Sequence, residues 1–328
     1  MSILMISARG AQVLAFVVLP VIAGSVAGAQ DFPVKPIRLV VPFAAGGGND
    51  ISARTLADAL RKSLDKTVVV DNRPGAGSII GTEIVSKSNP DGHTLLLGNI
   101  SMAFNAALYK KLPYDTLRDF TPISLVVTQP NMLVTHPSRP AKSYREFIAL
   151  ARSQPDKLTY ASTGIGTGGH LAVELLSMAE KIKLVHVTYK GTGPAVIAML
   201  GDEIAVFFSS FATALPHVRD GRLRGYAVSS AKRTRTLPDV PTIAESGLHG
   251  YEYITWYGLL SPAGVPPAVV AKLNKEVVAA LNSPEVQQRY LSLGMEPNPS
   301  TSAQYAVHLK AETEKWTKVV RAAKISSQ

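Results

Sequence analysis

An α/β fold in two domains is predicted by three observations. Residues 34–99 carry three apolar runs, the first two each followed by a glycine-rich or polar turn and a helical pattern, which is a βαβαβ order. Residues 158–200 repeat the sequence of strand, glycine loop and helix. The chain has 328 residues, 46% of them hydrophobic, enough for a large buried core and, by length, for about two domains.

Residues 1–29 stand apart. Arg9 is their one charge, an apolar run covers 13–23, and Ala27-Gly28-Ala29 has the form of a cleavage site. They read as a secretory signal peptide cleaved near Ala29, because the apolar run is short for a bilayer. The mature chain is then expected to be soluble. The absence of cysteine excludes disulfides, thiol chemistry, cysteine metal sites and a lipid-bearing cysteine.

The first strand, residues 37–41, is rich in β-branched residues and is closed by Pro42. Gly46, Gly47 and Gly48 follow, and Asn49 or Asp50 is expected to cap a helix over 51–64 with Leu56, Leu60 and Leu64 on its apolar face. Backbone N–H groups at such a turn, with about half a positive charge from the helix dipole, hold anionic oxygens without arginine. The plainer reading is that the glycines only close a tight turn. Residues 67–71 form the second strand, 79–88 a helix stopped by Asn89-Pro90-Asp91-Gly92, and 94–97 the third strand. Its loop, 98–102, faces the edge occupied by the glycine loop, and a polar helix comes next.

Residues 123–128 and 132–135 read as two short strands broken at Pro130, where the chain crosses into the second domain. There, 143–152 is a helix, 158–161 a strand, and 169–180 a helix opened by the loop 162–168. A strand over 184–188, a helix over 194–200 and strands over 204–208 and 223–228 follow. A strand over 253–260 then brings the chain back, and helices beginning near Pro266-Pro267, Pro284 and Thr301 are expected to cover the first sheet. The domains are thus 31–128 with 252–328, and 129–251. Two crossings between them suit a hinge.

The formal charge of +10 is scattered, its tightest group being Lys232-Arg233-Thr234-Arg235. A nucleic-acid reader would gather it on one face, so anionic solutes or an acidic partner surface fit better. Gly164-x-Gly166-x-x-Gly169 matches the dinucleotide fingerprint, but the next strand ends in Thr188-Tyr189-Lys190, with no acidic residue for a ribose. The same loop serves a carboxylate through its N–H groups and the hydroxyls of Ser162, Thr163 and Thr167. His170 either donates to a ligand oxygen or packs. The seven histidines show no metal-ligand spacing, and no nucleophile elbow appears, so neither a metal nor a cofactor nor a catalytic residue is assigned. Arg73 reads as the partner of a nearby carboxylate, and Trp256 and Tyr257 as cleft wall or core.

Pro42-Phe43-Ala44-Ala45-Gly46-Gly47-Gly48-Asn49-Asp50, Asp71-Asn72-Arg73-Pro74-Gly75-Ala76-Gly77 and Pro90-Asp91-Gly92-His93-Thr94-Leu95-Leu96 resemble signatures of the Bug family, the substrate-binding proteins of tripartite tricarboxylate transporters. So do the segments 164–171, 189–195, 237–242 and 256–259, in order along the whole mature chain. The resemblance implies a periplasmic-binding-protein fold of the type II, Venus-flytrap kind. Its interdomain cleft would take a small carboxylate and deliver it to membrane permease subunits. It also implies a periplasmic location, and a monomer suits the shuttling role. Carried onto matching positions, the ligand contacts are Gly47, Gly48, Asn49, Asp50 and the Ser101 region in the first domain. Those of the second are Ser162, Thr163, Gly166, Thr167, His170, Lys190, Gly191 and Thr192. This chain departs from the pattern at Ala45, where the family often has proline, and at Ala205, where it commonly has aspartate. The second departure argues for a less polar ligand end, met by Phe207 or Phe208 and Ser209. Two further readings are a sensory binding protein that signals to a membrane receptor and, remotely, an exported hydrolase.

Overall fold

The computed structural model describes residues 32–322, and the expected signal peptide lies outside them. In chain order, the first part contains β1 (Ile37–Val41), α1 (Gly48–Leu64), β2 (Val68–Asn72), a 3-10 turn (Ala76–Ser78), α2 (Ile79–Ser86), β3 (Thr94–Asn99), α3 (Ser101–Leu108) and β4 (Phe120–Thr135). The middle contains α4 (Tyr144–Ser153), β5 (Thr159–Ser162), α5 (Gly168–Glu180), β6 (Val185–Thr188), α6 (Thr192–Leu200), β7 (Val206–Ser210), α7 (Phe211–Arg219) and β8 (Arg224–Val228). The chain ends with β9 (Ile254–Pro262), α8 (Pro267–Asn282), α9 (Pro284–Ser292), β10 (Glu296–Pro297) and α10 (Ser302–Ala322).

The strands run in the order β2-β1-β3-β9-β4-β7-β5-β6, with β8 and β10 also on β4. β1, β2 and β3 are parallel, as are β5, β6 and β7. β4 belongs to both groups: residues 120–130 pair with β9 and residues 131–135 with β7 and β8. The expected break at Pro130 is therefore absent, and one 16-residue strand joins the two halves of the sheet. Pro130 is the last β4 residue paired with β9, opposite Ile254, so its missing N–H falls where one ladder gives way to the other.

Each half packs its own core. In the first, Leu39 of β1 meets Leu56 and Leu60 of α1 and Leu273 and Val277 of α8. In the second, Met132, Phe207, Ala195 and Met199 pack together. A third cluster runs through both halves, from Phe104 and Trp316 to Phe208 and Tyr160. Tyr253 bridges it, 6.1 Å from both the Phe208 and Trp316 rings.

Three local expectations change. The helix after β3 is apolar on most sides, with Met102, Ala103, Phe104 and Leu108 buried, because α10 covers it and Phe104 packs edge-on against Trp316 at 4.6 Å. α7 was not expected, since its sequence Phe-Ala-Thr-Ala-Leu-Pro-His-Val-Arg contains Pro216 near its end and offers no side-chain cap. α1 starts at Gly48, and Gly47 occupies its cap position without a side-chain bond. Asp50 instead accepts the Gly46 N–H at 2.9 Å from inside the first turn.

α10 closes the first half from one side. The Glu312 carboxylate accepts the indole N–H groups of both Trp256 (3.1 Å) and Trp316 (3.0 Å), while the Tyr305 ring packs against buried Gly258. A Cβ at Gly258 would overlap the Tyr305 ring. Gly258→Ala is accordingly expected to destabilise the fold by about 1–3 kcal/mol, as overpacking does. Denaturant unfolding measures this, and an unchanged midpoint would refute the packing.

Beneath the β5–α5 loop, the His186 ring stacks on Tyr160 (4.7 Å) and on His170 (4.6 Å). Burial lowers the pKa of both histidines from 6.5 to about 4. An unfolded chain binds protons at these groups below about pH 6.5 while the folded one stays neutral, so stability present at pH 7 is lost as the pH falls toward 4. His170→Phe is expected to flatten that acid loss in unfolding curves recorded at pH 7 and pH 5, and an unaltered pH profile would contradict this assignment.

Candidate functional site

Both parallel groups send their chain from the carboxyl end of a strand through a short turn into a helix, so helix N-termini gather along one edge. They surround a cleft with about 560 Å³ of empty space, part of it open to solvent. Five helices open onto it: α1 at Gly47, Gly48 and Asn49, α3 at Ile100 and Ser101, α5 at Thr167, Gly168 and Gly169, α6 at Thr192, and α7 at Ser210. The first N–H groups of a helix have no partner within it, and each helix dipole adds partial positive charge at that end. No lysine, arginine, histidine, aspartate or glutamate lines the cleft. An anion there would be held by neutral donors, each already oriented.

Two side chains face the cleft with unused capacity. Ser101 is fully buried, yet its hydroxyl has no hydrogen-bond partner. Asn49 is 4% exposed, donates Nδ2 to the Leu97 carbonyl at 3.2 Å and leaves Oδ1 free. Buried polar atoms of this kind are normally satisfied, so a bound group that meets them is the simplest account.

The rest of the wall is fixed by bonds among its own residues. Gln129 donates Nε2 to the Tyr257 hydroxyl at 2.6 Å, which leaves that hydroxyl its own proton to offer. Thr255 donates to Asn131 Oδ1 at 2.9 Å, and the Asn131 amide donates to the Phe208 carbonyl at 3.3 Å. A Cβ on Gly48 would lie within 2.7–2.8 Å of Gln129 Nε2, Tyr257 Oη and Ser210 Oγ, so only glycine lets α1 start so close to this floor. Phe43, Phe207, Phe208 and Ile100 supply the apolar wall.

Of the residues expected from sequence, Gly47, Gly48, Asn49, Ser101, Thr163, Thr167, Thr192, Phe207 and Phe208 line the cleft together. Seven do not, among them Ser209, whose hydroxyl donates to the Ser210 carbonyl at 3.2 Å. Asp50 turns back and accepts bonds from Gly46 N–H, Arg54 (3.0 Å) and Asn72 (3.0 Å). Burial raises its pKa, but these partners outweigh burial and hold the carboxyl below its ordinary value. Ser162 bonds His186 Nε2 at 2.6 Å and the Gly164 carbonyl at 3.3 Å, and His170 lies in the aromatic stack. Gly166 sits against Asn105. Lys190 and Gly191 line a neighbouring outer compartment.

Sequence reading did not single out Phe43, Asn99, Ile100, Asn131, Gly168, Gly169, Ser210, Tyr253 and Thr255 as contacts, although they line the same cleft. Asn99 and Ile100 belong to the loop that was placed at this edge, whereas Ser210 opens the unexpected α7. Tyr257, open between cleft and core, lines the cleft, whereas Trp256 is buried on Glu312. Arg73 pairs with Asp71 at 2.9 Å, outside the cleft. Among the described residues no group of histidine, aspartate and glutamate is placed to hold a metal.

Residues 52–325 match the family described as the Tripartite tricarboxylate transporter family receptor. The fold is similar to the periplasmic binding protein BugD, with a TM-score of 0.87 and 36% identity over 90% of this chain and 100% of that one. It is also similar to Rpa4515 of R. palustris, solved with adipate (TM-score 0.88, 33% identity, 90% and 99% coverage). MatC of Rhodopseudomonas palustris, solved with bound malate, matches with a TM-score of 0.84 and 34% identity over 88% of this chain and all of that one. BugD is a periplasmic binding protein, and this chain shares its α/β fold. The cleft and its ring of helix N-termini thus stand in a solute-binding protein, and the chain belongs to the tripartite tricarboxylate transporter receptor family, the Bug proteins.

Proposed function

We propose that this protein captures a small carboxylate in the cleft, closes on it by hinge bending and hands it to the membrane subunits of a tripartite tricarboxylate-type transporter. One observation carries the reading: five helix N-termini and two unpartnered buried side chains face a cleft with no charged wall. That is a recognition surface for an anion, with no carboxylate, imidazole or amine on its wall to activate a hydroxyl. The relatives solved with adipate and with bound malate support the same ligand class. Export through a signal peptide cleaved near Ala29 fits the periplasmic family.

The lobes in this reading are residues 31–128 with 252–328, and residues 129–251. Closure is supported by how closely they meet on both sides of the cleft. A Cβ on Gly47 would stand 3.0 Å from Thr192 Oγ1, and one on Gly191 would overlap Ala44. The hinge strands are β4 and β9, whose paired residues Pro130 and Ile254 lie at the handover between halves.

The test is calorimetric titration of the mature chain with malate, adipate and a panel of aliphatic and aromatic acids. At least one acid is expected to bind. Ser101→Ala should weaken the tightest of them about tenfold, the worth of one hydrogen bond to a charged group. Gly47→Leu, at a backbone with φ −83° that accepts a side chain, should hold the lobes apart, so that ligand no longer shrinks the radius of gyration seen by X-ray scattering. Failure of every acid to bind, or unaltered affinity in Ser101→Ala, would overturn the assignment.

A further inference from the structure

The cleft is not a single chamber. Phe43 and Thr163 line it on one side and, on the other, line an outer compartment with about 1310 Å³ of empty space. The outer walls are largely apolar, including Pro42, Pro74, Tyr109, Ile165 and Tyr189. Lys190 is the one charged side chain on those walls, and it is exposed with no carboxylate partner among the described residues.

We infer that the outer compartment is a second ligand chamber, and that the protein is built for an elongated dicarboxylate with an apolar body, without an amino group. Its first carboxylate meets the helix N-termini, its body passes between Phe43 and Thr163, and its far carboxylate meets Lys190. This rests on the carboxylate reading above and names the kind of acid.

Charge distribution supports each part. The inner cleft has no acidic side chain to face an ammonium group, because Asp50, the nearest carboxylate along α1, is spent on Arg54, Asn72 and the Gly46 N–H. Burying an ammonium group unpaired is costly, so α-amino acids are disfavoured against their deaminated counterparts. The inner cleft also has no cation for a second carboxylate, and the outer one has a single cation. A short diacid leaves Lys190 unmet, whereas a long one uses both ends. Lys190 precedes Thr192 of the inner cleft by only two residues, a backbone reach of at most about 7 Å, so one extended molecule can touch both.

The experiment is calorimetry on the mature chain and on Lys190→Met, an exposed change whose melting temperature is recorded as a check on folding. The ligands are butanedioate, octanedioate, octanoate, adipate and 2-aminoadipate. Octanedioate is expected to bind more tightly than butanedioate, and adipate at least tenfold more tightly than 2-aminoadipate. Lys190→Met should cost octanedioate about tenfold more than it costs octanoate. Equal losses for octanedioate and octanoate, or a preference for butanedioate, would overturn the second chamber while leaving carboxylate capture intact. If none of the five acids binds, both readings fall together.

Discussion

Every α-helix begins with N–H groups that its own carbonyls cannot reach, and this protein brings five such beginnings to one cleft. Most folds spread that demand over capping side chains and water. Here α1, α5 and α6 start with no side chain bonded to their first N–H groups, while Ser101 of α3 donates its N–H to Asn99 Oδ1 at 2.9 Å and Ala212 of α7 donates to Gln129 Oε1 at 3.3 Å. The fold therefore carries a concentrated donor field, open chiefly at α1, α5 and α6, and the remaining features of the molecule either create it or keep it accessible. Glycine at Gly48 lets the α1 terminus approach the floor, and the neutral wall leaves the field uncancelled by any fixed charge.

Holding five helices to this geometry requires a continuous frame. The frame is the continuous β4, shared by both ladders, with β9 antiparallel beside it. The clamp of Glu312 on Trp256 and Trp316 fixes the C-terminal helix to the first half, and Tyr253 carries the core across to Phe208. The two ladders exchange partners around Pro130 and Ile254, and the proposed hinge is placed there.

Much of this was legible because it is local. A β-branched run followed by glycines and an amphipathic pattern names a strand, a turn and a helix N-terminus within a dozen residues, which is why Gly47, Gly48, Thr163, Thr167 and Thr192 could be placed at one edge. Contributions from distant partners were not legible in that way. The continuity of β4 depends on β7, β8 and β9 lying alongside, and Pro130 looks like a terminator until its place at the end of a ladder is known. α3 reads as polar on its own, yet α10 buries it. Asn131 and Thr255 reach the cleft from strands whose sequence is that of ordinary sheet, and Tyr253 from the residue just before β9. Asp50 shows the converse: an acid in the first turn is chemically suited to a ligand, and sequence does not reveal that Arg54 and Asn72 hold its carboxylate.

The donor field can be observed directly in a 15N-labelled sample titrated with the tightest-binding acid. The amide protons of Gly48 and Asn49 on one side of the cleft, and of Gly169 and Thr192 on the other, are predicted to move downfield together and saturate at one affinity. Shifts confined to a single lobe, or a bound acid that leaves these four amides unmoved, would contradict the account.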